Sequence, residues 1–172
     1  RRQRQMCIRD RKWGRIAVTG RFWESFKFEK HTGNVSHKYN PNLPLHLTFD
    51  FNVFPYVTGL LWQIQDKDIV MLKEYCLETP RNKTKFICKD FSKDFPDHKA
   101  GLFVYGDATS KKQDTKLQKG QNFYLLIKGY LSKLKPIFRV PKANPSVLMS
   151  RNFTNDILAG QIEGVTFAVD SK

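Results

Sequence analysis

The stretch LHLTFDF, residues 45–51, alternates apolar and polar side chains and carries an aspartate near its end. That alternation predicts a half-buried β-strand with Asp50 at its C-terminal end. A second apolar run, LFVY at residues 102–105, leads through Gly106 into Asp107. Two strand-borne carboxylates separated by a hairpin and a helix are typical of a metal-dependent nuclease core, because Mg²⁺ is a hard cation that binds oxygen ligands.

The residues around these two runs predict three antiparallel strands followed by alternating helices and strands. The expected strands lie at residues 45–51, 57–65, 69–78, 103–105, 137–140 and 165–169, and the expected helices at 82–95, 123–134 and 146–158. We expect the short apolar strand at 103–105 to lie parallel to the first strand. This is the element order of the ribonuclease-H-like fold, an α/β class with a mixed sheet flanked by helices.

Length and charge indicate one domain with a polyanionic partner. The chain has 172 residues and a formal net charge of +14. Residues 1–12 are expected to be adapter-derived or disordered, because the arginine-rich run at residues 1–11 resembles a translated sequencing adapter. Residues 13–44 are expected to form a linker, with a short helix at 21–28, and residues 45–172 the folded domain. No apolar stretch approaches the roughly 20 residues of a membrane span.

Basic and polar residues near the two aspartates are candidates for DNA contacts. A polar loop after Asp107 contains Lys111, Lys112, Lys116 and Lys119. Such lysines either bind DNA phosphates without reading sequence or form an ordinary solvated loop. Arg151 would extend the same basic track. Glu74, in mid-strand, either supports the metal ligands or lies on a solvated strand face, and Asn52 forms a turn or orients a ligand.

Three segments resemble the nuclease domain of the phage terminase large subunit. Residues 47–56, followed by Trp62 and Gln63, look like the opening of that domain. Residues 105–110, YGDATS, are similar to its second acidic motif, and residues 144–158 to its later arginine-rich helix. The resemblance implies a ribonuclease-H-like endonuclease that cuts concatemeric double-stranded viral DNA during genome packaging.

The resemblance also implies a ligand set and partners. Asp50 and Asp107 would be the catalytic residues, and Asp50, Asp107 and Asp170 would bind two Mg²⁺ or Mn²⁺ ions. The third carboxylate of the family normally follows the last strand, so residues 45–172 would lack the C-terminal end of the domain. The implied partners are double-stranded DNA, an ATPase motor domain, the portal and the small terminase subunit, in the cytoplasm of an infected bacterial host and with no membrane.

Two other functions stay open at this point. One is a non-catalytic DNA-binding or docking fragment, in which the acidic pair is structural. The other is a resolvase-type or transposase-type nuclease of the same fold. The sequence contains no GxxxxGKS or GxxxxGKT phosphate loop, so no ATP-binding motor is expected within these residues.

Overall fold

The computed structural model describes residues 22–32, 39–51, 56–111 and 122–169. Its strands are β1 (Leu45–Asp50), β2 (Tyr56–Gln65), β3 (Asp68–Glu78), β4 (Leu102–Gly106), β5 (Ile137–Phe138) and β6 (Thr166–Val169). Its helices are α1 (Phe28–His31), α2 (Thr84–Asp94), α3 (Phe123–Tyr130) and α4 (Val147–Ala159), and 3₁₀ turns lie at Ala108–Lys111 and Ser132–Leu134. None of the helices in these ranges has the length and apolarity needed to cross a membrane.

The strands of the described residues form one six-stranded mixed sheet in the order β5-β4-β1-β2-β3-β6. β1, β2 and β3 pair antiparallel. β4 pairs parallel with both β1 and β5, and β6 pairs parallel with β3. The predicted parallel neighbour of the first strand is therefore present. The predicted fold class, a mixed sheet of ribonuclease-H-like order flanked by helices, is confirmed.

The hydrophobic core lies on one face of the sheet. β1 places Leu45, Leu47 and Phe49 on this face, each no more than 3% exposed. Helices α2 and α3, together with Leu131 just after α3, cover the face with buried side chains. Those on the two helices include Ile87, Cys88, Phe91, Tyr124 and Ile127. Truncation of the fully buried Phe91 to alanine would cost about 3–5 kcal/mol. The core thus holds β1 and β4 in register, and with them the residues at their ends.

Side-chain caps set the starts of two helices, α3 and α4. The Asn122 side chain accepts the Leu125 N–H at 2.9 Å and begins α3. The Ser146 hydroxyl accepts the Met149 N–H at 3.1 Å and begins α4. α3 is shorter than predicted and gives way to a 3₁₀ turn. A proline follows at position 136, and the residue before a proline disfavours the helical conformation.

Residues 22–32, called here the N-terminal arm, pack against α4 and β6. The short helix expected at residues 21–28 lies later in the chain, as α1. Its start is set by the Lys27 N–H, which donates to Nδ1 of the buried His31 at 2.9 Å. Nε2 of the same ring donates to the Leu158 carbonyl at 3.0 Å. This described part of the expected linker is therefore attached to the C-terminal end of α4.

Candidate functional site

Asp50 and Asp107 lie at the same end of two neighbouring parallel strands. Phe49 pairs with Gly106 in the β1–β4 register, so the two aspartates are the next residues along their chains. Adjacent strands in a sheet are about 4.8 Å apart. Both aspartates are exposed. The structure thus brings these two predicted ligands together at one edge of the sheet, where solvent and a substrate can reach them.

Asp107 is held as a carboxylate by two donors on one of its oxygens. Oδ1 accepts the Asn144 Nδ2–H at 2.6 Å and the Thr109 N–H at 2.7 Å. The hydrogen bond from Asn144, followed by that from Thr109, lowers the pKa of the Asp107 carboxyl below its usual value. The side chain is therefore charged at neutral pH, which is the state that a cation ligand needs.

The glycine before Asp107 is explained by close packing. A Cβ at Gly106 would lie 2.7 Å from the Tyr124 hydroxyl and 3.1 Å from the Phe49 carbonyl oxygen. That hydroxyl donates to the Asp107 carbonyl at 2.7 Å. Burial, and then the charge of Asp107, raises the pKa of Tyr124 to about 12, so its hydroxyl keeps its proton. α3 is thus bonded to the backbone of the candidate site.

The chain next to Asp50 is anchored by an aromatic cluster. The ring of Phe51 stacks on Phe123 of α3 with centroids 4.8 Å apart, and meets Tyr124 edge-on at 5.4 Å. Phe51 also stacks on Phe49 at 5.6 Å. The residues on both sides of Asp50 are therefore packed into the same apolar cluster. This fixes the position of an aspartate whose own side chain is exposed.

The other residues predicted for the site differ in how close they lie to Asp50 and Asp107. Glu74 lies on β3 opposite Leu60, so β2 stands between it and Asp50. The backbone of Lys111 ends the 3₁₀ turn that begins one residue after Asp107. The other predicted site residues fall outside the described residues, and they are Asn52, Lys112, Lys116, Lys119 and Asp170.

Arg151 contacts the N-terminal arm. Its Nε donates to the Phe22 carbonyl at 3.2 Å, and its guanidinium lies 3.3 Å from a carboxylate oxygen of Glu24. The same group lies over the Phe22 ring, 5.8 Å from the centroid. These contacts hold the arm to α4. A DNA contact by Arg151 stays a prediction.

The donor chemistry of the aspartate pair fits a magnesium-type cation. Carboxylate oxygens on exposed, adjacent strand ends suit Mg²⁺ or Mn²⁺, which complete their shells with water. Within the part of the chain that the structure describes, no group of three or more His, Cys, Asp or Glu residues is gathered to hold a metal. The described ligand set is therefore a pair.

Asn144 is the site residue that the sequence analysis missed. It is far from Asp107 in the chain, and no motif spacing connects the two. The parallel pairing of β5 with β4 brings it close, because the loop after β5 emerges at the same edge of the sheet as Asp107. The signal that was available is topological, since the carboxyl ends of neighbouring parallel strands meet at one edge.

Comparison with known proteins gives a structural likeness. No protein-family model matches the chain, and no curated protein matches it either. Crystal structures of the large terminase from a thermophilic bacteriophage do match. One has a TM-score of 0.56 at 16% identity and covers 87% of this chain and 33% of the terminase chain.

A second structure of that terminase, in complex with ATP-gamma-S, has a TM-score of 0.52 at 16% identity. It covers 86% of this chain and 34% of the terminase chain. The chain therefore spans about a third of the length of the terminases it matches. At this level of identity the likeness concerns the fold. The chain has the fold of a part of a phage large terminase.

Proposed function

We propose that this chain is a metal-dependent endonuclease domain of a phage large terminase, and that it cuts concatemeric double-stranded DNA during genome packaging. One observation carries the proposal. Asp50 and Asp107 are exposed and directly follow a paired position of β1 and β4. The likeness to the terminase of the thermophilic bacteriophage supports it, because the same fold there belongs to a large terminase.

Asp50 and Asp107 are the residues that would hold Mg²⁺ or Mn²⁺, as one ion or as a pair. Such a cation, when bound, supplies an activated water and neutralises charge on the attacked phosphate. The protein supplies fixed positions. The Thr109 N–H orients the Asp107 carboxylate, and the hydrogen bond from Tyr124 to the Asp107 carbonyl ties that loop to α3.

Double-stranded DNA is the proposed substrate because the chain is strongly basic near the acidic pair. Lys142 is exposed in the loop before α4, two residues from Asn144. Lys111, Lys112, Lys116 and Lys119 follow Asp107 in the sequence. Contacts of this kind bind phosphates and carry no sequence information. An ATPase motor, the portal and the small terminase subunit are the proposed partners, in the cytoplasm of an infected host.

The test of the proposal is isosteric removal of each carboxylate charge. We expect the chain to bind Mn²⁺ in calorimetry and to nick supercoiled plasmid with Mn²⁺. Both signals should fall to background in Asp50→Asn and in Asp107→Asn. Asp66→Asn is the matched control, because Asp66 is an exposed aspartate in the β2–β3 turn at the opposite end of the sheet. Undiminished binding and nicking in both site variants would refute the proposal.

A lysine exchange tests the DNA surface. Changing Lys111, Lys112, Lys116 and Lys119 to Gln should weaken DNA binding and lower the salt slope by up to about 0.9 per lost phosphate contact. The control changes the same number of exposed lysines on the α2 side of the sheet, namely Lys83, Lys85, Lys89 and Lys93. Equal effects of the two sets would indicate non-specific attraction.

A non-catalytic DNA-binding fragment is the second candidate. It is favoured by the absence of a three-residue acidic cluster from the residues that the structure describes. In that case the chain would bind duplex DNA, but calorimetry would show no heat of Mn²⁺ binding and plasmid would not be nicked. A preference for branched over linear duplex would instead indicate a resolvase-type enzyme.

A further inference from the structure

Asn144 makes two side-chain hydrogen bonds to the start of the loop after β4. Its Nδ2 donates to Asp107 Oδ1 at 2.6 Å, and its Oδ1 accepts the Ala108 N–H at 2.8 Å. One side-chain amide therefore binds the carboxylate and the next peptide group together. This bidentate arrangement fixes the orientation of the carboxylate plane as well as its position.

These contacts give the two carboxylate oxygens of Asp107 different hydrogen-bonding environments. Oδ1 accepts from both Asn144 and Thr109. A carboxylate oxygen has two lone-pair directions, so Oδ1 is saturated. Neither of these two hydrogen bonds involves Oδ2, and the Thr109 hydroxyl, which also donates to this carboxylate, takes up at most one further lone-pair direction. Oδ2 is the oxygen that remains for a cation.

The loop that carries Asn144 is itself fixed at both ends. At its start the Arg139 N–H donates to the Val104 carbonyl at 2.8 Å, which continues the β5–β4 pairing. At its end Ser146 caps α4. Prolines at positions 141 and 145 restrict the backbone between these points. The amide is thus presented from a rigid support.

We propose that Asn144 is a positioning residue that presents Asp107 to a divalent cation through Oδ2 alone. The inference rests on the proposed function, because it needs a cation at the aspartate pair. Without the amide, the carboxylate can rotate about its χ2 bond and must be ordered when the cation binds. Loss of such a supporting hydrogen bond typically costs about 10–100-fold in metal affinity.

Calorimetric titration of Mn²⁺ into the whole chain tests the role. Asn144→Ala should weaken Mn²⁺ binding by about 10–100-fold, and Asn144→Ser, whose hydroxyl is too short to bridge both partners, should do the same. Ser146→Ala is the matched control, since it disturbs the same loop and the start of α4 without touching Asp107. Its Mn²⁺ affinity should equal that of the wild type.

Plasmid nicking provides the second readout. A positioning role raises the Mn²⁺ concentration at half-maximal rate and leaves the rate at saturating Mn²⁺ unchanged. A purely structural role lowers the amount of active protein and leaves the half-maximal concentration unchanged. Circular dichroism checks that each variant is folded.

The outcomes separate the two proposals. Wild-type Mn²⁺ affinity in both Asn144 variants would refute the role of Asn144 and leave the aspartate site intact. An equal loss in Ser146→Ala would also refute it, because the loop in general would then be responsible. Absence of Mn²⁺ binding by the wild-type chain would refute the metal site itself.

Discussion

Asn144 and Asn155 use the same chemistry in two regions of opposite exposure. Asn144 is exposed and binds the Asp107 carboxylate together with the Ala108 N–H. Asn155, within α4, is only 7% exposed. Its Oδ1 accepts the Ser25 N–H at 3.0 Å, and its Nδ2 donates to the Phe22 carbonyl at 3.2 Å.

The difference in exposure separates a stability role from a role in chemistry. A polar partner left unpaired in a dry environment loses its hydrogen bond without replacement, whereas water replaces the partner at an exposed position. The Asn155 contacts should therefore contribute to the free energy of unfolding. The Asn144 contacts should contribute mainly to the orientation of one carboxylate.

The largest effect on stability is expected at the buried position. Asn155→Ala should lower the free energy of unfolding by about 1–3 kcal/mol, because it leaves the Ser25 N–H without its acceptor and removes one of the two donors to the Phe22 carbonyl, the other being Arg151. Urea denaturation measures the change. Asn152→Ala, at an exposed position of the same helix, is the control and should be nearly neutral. Equal midpoints for the two variants would contradict the expected difference.

The helix cap between the two asparagines should have an intermediate effect. Ser146→Ala removes the acceptor of the Met149 N–H and should cost about 1 kcal/mol. The loss is limited because water reaches this exposed helix start. Ser146→Asp, which keeps a capping oxygen, should retain most of the stability in the same denaturation measurement. If alanine and aspartate behave alike, the cap does not stabilise α4.

A smaller loss is expected at the ion pair of the arm. Arg151→Gln removes the charge that faces Glu24, and partly exposed pairs of this kind contribute about 0.2–1 kcal/mol. The loss should shrink at high salt, because screening weakens the pair. The salt dependence of DNA binding by the same variant tests whether Arg151 also contacts a DNA phosphate. A salt slope lowered by about 0.9 would show that Arg151 also meets a phosphate.

The smallest stability effect is expected at the exposed asparagine. Asn144→Ala should change the free energy of unfolding by no more than about 0.5 kcal/mol, since water can satisfy the groups it leaves. Thermal denaturation without metal measures this. A loss as large as that of Asn155→Ala would remove the distinction between the two regions and would make Asn144 a structural residue.

The fold was largely predictable because its main signals are local. Alternation in residues 45–51 and the apolar run before Asp107 were sufficient to predict β1, β4 and their parallel pairing, which the structure confirms. The bounds of α2 and α4 agree with the prediction within two residues, since apolar spacing indicates both helices. The Ser146 side chain also caps the start of α4, whereas the N-cap of α2 makes no side-chain capping bond. The predicted end of α3 was too late, because apolar spacing does not distinguish the helix from the 3₁₀ turn that follows it before the proline at position 136.

The surroundings of the site were less predictable because they depend on contacts between distant segments. The placement of Asp50 beside Asp107 followed from their positions at strand ends. The hydrogen bond from Asn144 to Asp107 and the contact of Arg151 with the N-terminal arm could not be predicted in this way, because each joins residues far apart in the chain. An exposed asparagine in a proline-bracketed loop gives no sign of its partner until the strand order is known.

The parallel pairing of β1 with β4 has a consequence for the time at which the site appears during folding. The β1–β2–β3 meander joins neighbours in the chain, whereas the Phe49–Gly106 register spans the intervening hairpin and α2. Non-local parallel pairing forms slowly, because the entropy cost of closing the long intervening loop comes before the strand contacts that offset it. A chain that has folded only its meander has Asp50 in place and Asp107 elsewhere. We therefore expect any cation affinity of the aspartate pair to be acquired late in folding, after the meander has formed.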